Sequence, residues 1–169
     1  MTISLDILAK LTESNLYGDS LNFQGLSIDS RTLKKGETFL CLQGEYLDGH
    51  DYIKNAEQAG ASSIVLSNKK ETKLPYIYTK NTLEFLNKFA DYRRDKFQGK
   101  ILCLTGSNGK TTTKDLTEQI LSKHYKVHKT LGNKNNQIGL PLTLVDLDQQ
   151  DFSVIEIGTN FPGEISFLS

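Results

Sequence analysis

The sequence of 169 residues lacks a net charge, a long apolar run and more than two cysteines. Without a basic excess it does not resemble a nucleic-acid-binding protein, because such proteins need positive charge to neutralise phosphates. No apolar run approaches the ~20 residues that span a bilayer, and the amino-terminal stretch does not resemble a signal peptide. We therefore expect a protein that binds neither nucleic acid nor a membrane.

The two cysteines, Cys41 and Cys103, each lie in an apolar run that is typical of a buried strand. Their positions match no metal-ligand spacing. Two isolated buried thiols fit a reducing cytoplasm better than a disulfide framework, so we expect a cytoplasmic protein. Because 37% of the residues are hydrophobic and 24% are charged, the composition predicts a folded chain rather than a disordered one.

One stretch organises the rest of the sequence, and it reads ILCLTGSNGKTTTK over residues 101–114. The apolar residues 101–104 predict a buried strand, and a helical period begins after Gly109. Glycines allow backbone N–H groups to surround an anion, and the start of a helix adds partial positive charge. A strand, a glycine-containing turn and a helix that begins with Lys-Thr therefore predict a phosphate-binding loop.

Within this loop, Lys110 is the candidate catalytic residue, because its ammonium can reach the outer phosphates of a nucleotide. The hydroxyl of Thr111 can ligate magnesium. The spacing departs from the general Walker pattern, which has a glycine where this sequence has Leu104. The alternative is an ordinary strand-to-helix turn with a surface lysine. The predicted nucleotide-binding residues are Gly106, Ser107, Asn108, Gly109, Lys110, Thr111 and Thr112.

Glu156 is the second candidate for a functional residue. It ends an apolar strand that we predict over residues 152–157, and this strand should lie beside the strand of the phosphate loop. A carboxylate in that position can hold magnesium opposite the loop. The alternative is that Glu156 points outward at a sheet edge.

Two further polar segments are candidates for substrate binding. Asn133, Asn135 and Asn136 lie between two glycines; their amides can bind a sugar or a peptide, although asparagine and glycine also favour simple turns. Ser30 and Arg31 follow a predicted strand and can hold a nucleotide or a phosphate. The alternative for this second segment is a capped turn with a surface salt bridge.

Periodicity and turn residues predict an α/β fold with two units. Residues 1–97 are predicted to form a small mixed α/β amino-terminal domain, and residues 98–169 to begin a P-loop domain with a parallel sheet. Leu116 and Ile120 are predicted to be the buried i, i+4 pair of the helix after the loop. The second unit has only three predicted strands, so we expect a truncated domain.

Together these segments resemble the Mur ligases, which build the peptide of bacterial peptidoglycan. The resemblance rests on the phosphate loop at 105–112 and on the segments at 132–141 and 156–165, with support from the amino-terminal unit. It covers the whole sequence but only the first part of a three-domain protein. It implies ATP and Mg2+ as cofactors, UDP-N-acetylmuramoyl-tripeptide and D-alanyl-D-alanine as substrates, and a monomer.

The same resemblance implies roles for the candidate residues. Lys110 would stabilise the transferred phosphoryl group, while Thr111 and Glu156 would hold magnesium. The three asparagines would line the muramoyl-peptide side of the site, and Ser30 and Arg31 the UDP side.

The family also has a modified lysine, a second metal ligand and a carboxy-terminal domain that are not found in these 169 residues. We therefore expect the chain alone to be inactive. The alternatives are a ligase similar to the folate polyglutamate ligases, a P-loop kinase, or a non-catalytic module that binds a UDP-sugar.

Overall fold

The computed structural model describes residues 3–68 and 70–158. The chain divides into two compact units, of which one ends at Phe89 and the other begins at Ala90. This division falls inside a helix, and the domain boundary that the sequence predicts at residues 97–98 stays a prediction. A helix that we predict from Glu164 onward lies outside the described residues.

The first unit is a mixed α/β structure. Its strands are β1 (Asn15–Tyr17), β2 (Leu26–Ser27), β3 (Thr38–Leu40), β4 (Ser63–Leu66) and β5 (Tyr76–Tyr78). Its helices are α1 (Leu5–Leu11), a 3-10 turn (Gly49–Tyr52), α2 (Ile53–Ala59) and the first part of α3 (Thr82–Lys96). The strand order is β1-β5-β4-β3-β2, and every pair is parallel except that of β1 with β5. The mixed α/β prediction is confirmed.

The centre of this sheet is apolar on both faces. Phe39 and Ile64 belong to the cluster that packs with helix α2. Leu40 and Val65 are equally buried, and they lie on the opposite face because alternate residues of a strand point to opposite sides. Such two-sided burial is typical of parallel strands covered by helices. Cys41 lies in the same cluster as Phe39 and Ile64, so its predicted burial is confirmed. Burial raises the pKa of its thiol to about 12.

The second unit contains a parallel sheet. Its strands are β6 (Lys100–Leu104), β7 (Val127–Lys129) and β8 (Phe152–Glu156), and its further helices are α4 (Lys110–Leu121) and α5 (Gly139–Val145). The order within the described residues is β6-β8-β7, with both pairs parallel. The carboxyl ends of all three strands therefore meet at one edge, which is where ligands bind in open α/β sheets. None of the helices in the described part of the chain is long and apolar enough to cross a bilayer.

The burial predicted for this unit is wrong in two places. Strand β6 is largely accessible, and Cys103 is exposed rather than buried. Leu116 and Ile120 are 54% and 65% exposed, although the sequence predicts them as the core pair of α4. Helix α4 packs on β7 and β8 through the face that carries the buried Lys114. Leu116 and Ile120 lie on another face, which the described residues do not cover.

Candidate functional site

The phosphate loop connects the end of β6 to the start of α4, as the sequence predicts. Gly106 and Gly109 have positive φ angles of 149° and 77°, which side chains rarely tolerate. These turns aim the loop around the amino terminus of a 12-residue helix, whose unpaired N–H groups and dipole attract anions. The ammonium of Lys110 lies across the loop and donates to the carbonyl oxygen of Gly106 at 2.6 Å. The local geometry can therefore hold a phosphate.

The other predicted loop residues are accessible to a ligand. Ser107, Asn108 and Thr112 are exposed, and Lys110 is half-buried. A charged group can therefore reach these loop residues from solvent. Their role in binding a nucleotide remains a prediction.

Glu156 lies next to the phosphate loop. The parallel register pairs it with Leu104, the last residue of β6, so the predicted neighbourhood of the two strands is confirmed. The side chain does not point outward, since the residue is only 3% exposed. Its Oε2 accepts a hydrogen bond from the hydroxyl of Thr111 at 2.9 Å. The two predicted magnesium ligands are thus in direct contact.

Two residues whose contact with Glu156 the sequence does not predict complete its surroundings. Asn135 donates from its amide to Oε1 at 2.8 Å, and the ammonium of Lys114 lies 3.5 Å from Oε2. Burial by itself would raise the pKa of Glu156, but the hydrogen bonds from Asn135 and Thr111 and the charge of Lys114 lower it below its ordinary value. Glu156 is therefore held as a buried carboxylate. Lys114 could have been found from its spacing, because it lies one turn after Thr111 on the same helix face.

The donor set at Glu156 fits magnesium. A carboxylate and a hydroxyl are hard oxygen ligands, and Mg2+ is commonly bound by one or two such groups together with phosphates of a nucleotide. The described residues contain no group of three or more His, Cys, Asp or Glu side chains that could hold a metal by themselves. The site thus suits a metal that arrives with a nucleotide better than a permanently bound ion.

The three asparagines of the loop before α5 have different environments. Only Asn135 reaches Glu156. Asn136 accepts the backbone N–H groups of Ile138 and Gly139 at 3.2 and 2.8 Å, and it thereby holds the start of α5. Asn133 is exposed, and its carbonyl oxygen accepts the N–H of Asn135. The proposed contacts of all three with a muramoyl peptide stay predictions.

In the first unit, Ser30 and Arg31 follow the carboxyl end of β2. Arg31 is paired with Asp29 at 2.7 Å, and its side chain is 86% exposed. Hydrogen bonds from the guanidinium and backbone of Arg31 lower the pKa of Asp29 to about 2. The capped turn with a surface salt bridge is therefore present, and the exposed guanidinium remains accessible to a phosphate although it is paired with Asp29. The UDP contact of Ser30 and Arg31 stays a prediction.

Comparison with known proteins gives two family matches. Residues 22–94 match the Mur ligase family, catalytic domain, and residues 104–169 match the Mur ligase middle domain. The UDP-N-acetylmuramoyl-tripeptide--D-alanyl-D-alanine ligases of Buchnera aphidicola and Escherichia coli are 36% and 34% identical to this chain over 170 and 168 residues. The matches cover 100% and 99% of the chain, which spans about 37% of the length of these relatives.

Solved structures of the same family have a similar fold. MurF from Acinetobacter baumannii superposes with a TM-score of 0.90 at 29% identity, over 99% of this chain and 38% of that one. MurF from Thermotoga maritima in complex with ADP superposes with a TM-score of 0.73 at 32% identity, over 86% of this chain and 34% of that one. The α/β architecture described above is therefore shared with these ligases.

Proposed function

The chain belongs to the Mur ligase family, and we propose that it is part of a ligase that joins D-alanyl-D-alanine to UDP-N-acetylmuramoyl-tripeptide. The observation that carries the proposal is the contact between Thr111 and the buried carboxylate of Glu156, directly beside the phosphate loop. A carboxylate, a hydroxyl and a lysine at the start of a helix are groups that P-loop enzymes use for phosphoryl transfer. The relatives named for this reaction match over nearly the whole chain.

When bound, ATP with Mg2+ would supply a phosphoryl group to the carboxylate of the tripeptide, with ADP as the leaving group. The incoming amine would then displace phosphate from the acyl phosphate and lose a proton to form the amide. The chain's own residues would hold and neutralise the charged groups. The N–H groups of the phosphate loop and the ammonium of Lys110 would stabilise the transferred phosphoryl group. Thr111 and Glu156 would hold the metal, and the amide of Asn135 would keep the carboxylate in place.

The second half of the reaction needs groups that we do not assign to this chain. The amine-binding side and further metal ligands are expected from other parts of the ligase. We accordingly propose a monomeric, cytoplasmic enzyme of which this chain alone is inactive. Its two described cysteines are free, which accords with a reducing compartment.

Nucleotide binding tests the phosphate loop. Calorimetry with MgADP should show that Lys110→Ala weakens binding by tenfold or more. A tenfold loss corresponds to about 1.4 kcal/mol of binding free energy. Lys123→Ala is the matched control, because Lys123 is an exposed lysine just after the same helix. Equal affinity of Lys110→Ala and wild type for MgADP would contradict the proposed loop function.

Substrate binding distinguishes the ligase from its alternatives. A ligase fragment should bind UDP-N-acetylmuramoyl-tripeptide more tightly than UDP, whereas a module that recognises only the nucleotide should bind both equally.

Phosphate release tests the proposal that the isolated chain is inactive. Sustained release by the isolated chain that depends on both ATP and D-alanyl-D-alanine would contradict its proposed inactivity.

A further inference from the structure

Lys114 carries a buried charge that the proposed reaction does not use. Only 2% of its surface is exposed, whereas lysine is almost never fully buried without a partner. Its ammonium lies 3.5 Å from Oε2 of Glu156, and it donates to the carbonyl oxygen of Gly132 at 3.4 Å. Because a buried charge is costly unless it is paired, the carboxylate of Glu156 is the main compensation for this ammonium.

The position of Lys114 follows from helix geometry. Residues three apart share a helix face, so Thr111 and Lys114 approach the same carboxylate and both lie close to Oε2 of Glu156. Asn135 binds the other oxygen, Oε1. The hydroxyl of Thr111 can donate a hydrogen bond, or its oxygen can ligate a cation. An ammonium can only donate hydrogen bonds. Lys114 and a metal ion therefore depend on the same negative charge.

We propose that Lys114 is a built-in counter-cation that competes with magnesium for Glu156 and thereby sets the affinity of the metal site. The inference rests on the proposed metal role of Thr111 and Glu156. Without a metal, the ammonium balances the carboxylate. A divalent cation that binds the same carboxylate is repelled by the ammonium of Lys114. The carbonyl oxygen of Gly132 also holds this ammonium in place. Because water is largely excluded there, the repulsion between the two cations is stronger than it is at a surface.

In this arrangement Lys114 acts through Glu156 and is a positioning residue. It keeps the buried carboxylate balanced while the metal is absent, and it lowers the affinity of the site when the metal arrives. The metal would then bind well only together with the negative charge of a nucleotide. A site of this kind binds free Mg2+ weakly and Mg2+ with a nucleotide strongly.

The test is the affinity of the chain for Mn2+, used as a paramagnetic substitute for Mg2+ and measured by electron paramagnetic resonance titration. Removal of the charge in Lys114→Met and Lys114→Gln should lower the Kd for Mn2+ by about tenfold. Lys114→Arg keeps the charge and should leave the Kd nearly unchanged. The two neutral variants differ in size and polarity, so that one remains informative if the other does not fold.

The shift in unfolding temperature that MgCl2 causes gives a second readout, and loss of a merely structural lysine would not change this shift. Without metal, the neutral variants should unfold at a lower temperature than the wild type, and MgCl2 should raise their unfolding temperature by more than it raises that of the wild type. A lysine with only a packing role would lower the unfolding temperature equally with and without MgCl2.

The outcomes separate this inference from the proposed function. An unchanged Kd in both neutral variants would overturn the competition, and so would a higher Kd, because the ammonium would then orient the carboxylate for the metal. If Mn2+ binding persists in Glu156→Gln, the metal does not use this carboxylate, and both the metal role and the inference fail. If binding requires Glu156 but the neutral lysine variants match the wild type, only the inference fails.

Discussion

Lys114 and Glu156 form a buried ion pair in which Nζ lies 3.5 Å from Oε2 and the two side chains are 2% and 4% exposed. The pair connects helix α4 with strand β8. Since neither charge has appreciable contact with solvent, loss of one partner leaves the other uncompensated. The same contact thus contributes to the stability of the second unit and to the chemistry of its site.

A double-mutant cycle should detect this pair. Lys114→Met and Glu156→Leu each leave one buried charge without a partner, and we expect each to lower the free energy of unfolding by about 3 kcal/mol. The double variant removes both charges, so its loss should be well below the sum of the two. Urea unfolding of the four proteins measures the cycle. Strictly additive losses would show that the two charges do not interact in the folded chain.

The two cysteines should react at very different rates. Burial raises the pKa of the Cys41 thiol to about 12, and the reactive thiolate is therefore scarce near neutral pH. Cys103 is exposed, although partial burial raises its pKa as well. A thiol-exchange reagent should therefore modify Cys103 in the folded chain and both cysteines in urea. Cys103→Ser should remove the reaction of the folded chain, and its persistence in that variant would contradict the exposure seen here.

The phosphate loop and Glu156 could be located from the sequence because their signals are local. The strand, the glycine turn and the Lys-Thr pair are adjacent in the chain, and the pairing of parallel strands then brings Glu156 to Leu104. Elements of this kind depend on short-range preferences that a single sequence contains.

Burial and loop paths could not be predicted in the same way. Leu116 and Ile120 have the spacing of a core pair, yet α4 packs through the face of Lys114, since the neighbouring strands decide which face is covered. Asn135 and Asn136 are also indistinguishable in sequence. Only the path of the loop directs Asn135 to Glu156 and Asn136 to the start of α5.

Removal of Arg31 should raise the pKa of Asp29. The guanidinium lies 2.7 Å from the carboxylate, and its hydrogen bonds, together with a weaker contribution from the backbone N–H of Arg31, lower the pKa of Asp29 to about 2. In Arg31→Ala the pKa should move toward about 3.9, the ordinary value for aspartate, and Arg31→Lys should give an intermediate value. Carboxyl carbon chemical shifts measured against pH report it.

The sign of the pH dependence follows from the lowered pKa. The ion pair stabilises the folded wild type above the unfolded pKa of about 3.9. This stabilisation is lost as the pH falls from there toward about 2. The stability of Arg31→Ala should therefore fall less than that of the wild type over this pH range. An identical pH dependence of stability in the two proteins would contradict the prediction.

His50 should stabilise the first unit through its ring nitrogens. The residue is only 1% exposed, its Nδ1 contacts the carboxylate of Asp48, and its Nε2 accepts the backbone N–H groups of Ser67 and Asn68 at 3.0 and 3.2 Å. His50→Ala leaves these donors unpaired and opens a cavity, so we expect a loss of about 3 kcal/mol. Denaturant unfolding measures it, and His124→Ala, at an exposed position, should have little effect. Similar losses in both variants would contradict this role.

Ser63 and Ser153 are both fully buried in strands whose two neighbours are parallel to them, yet their hydroxyl groups have different surroundings. The Oγ of Ser63 lies 2.8 Å from the Oγ1 of Thr38, whereas the Oγ of Ser153 has no hydrogen-bond partner among the described residues. A paired buried hydroxyl contributes to stability, and an unpaired one costs free energy. Ser63→Ala should therefore lower the free energy of unfolding by about 1 kcal/mol, while Ser153→Ala should leave it unchanged or raise it by up to about 1 kcal/mol. Urea unfolding followed by circular dichroism compares the two variants, and a loss at Ser153 as large as that at Ser63 would show that this hydroxyl has a partner in solution.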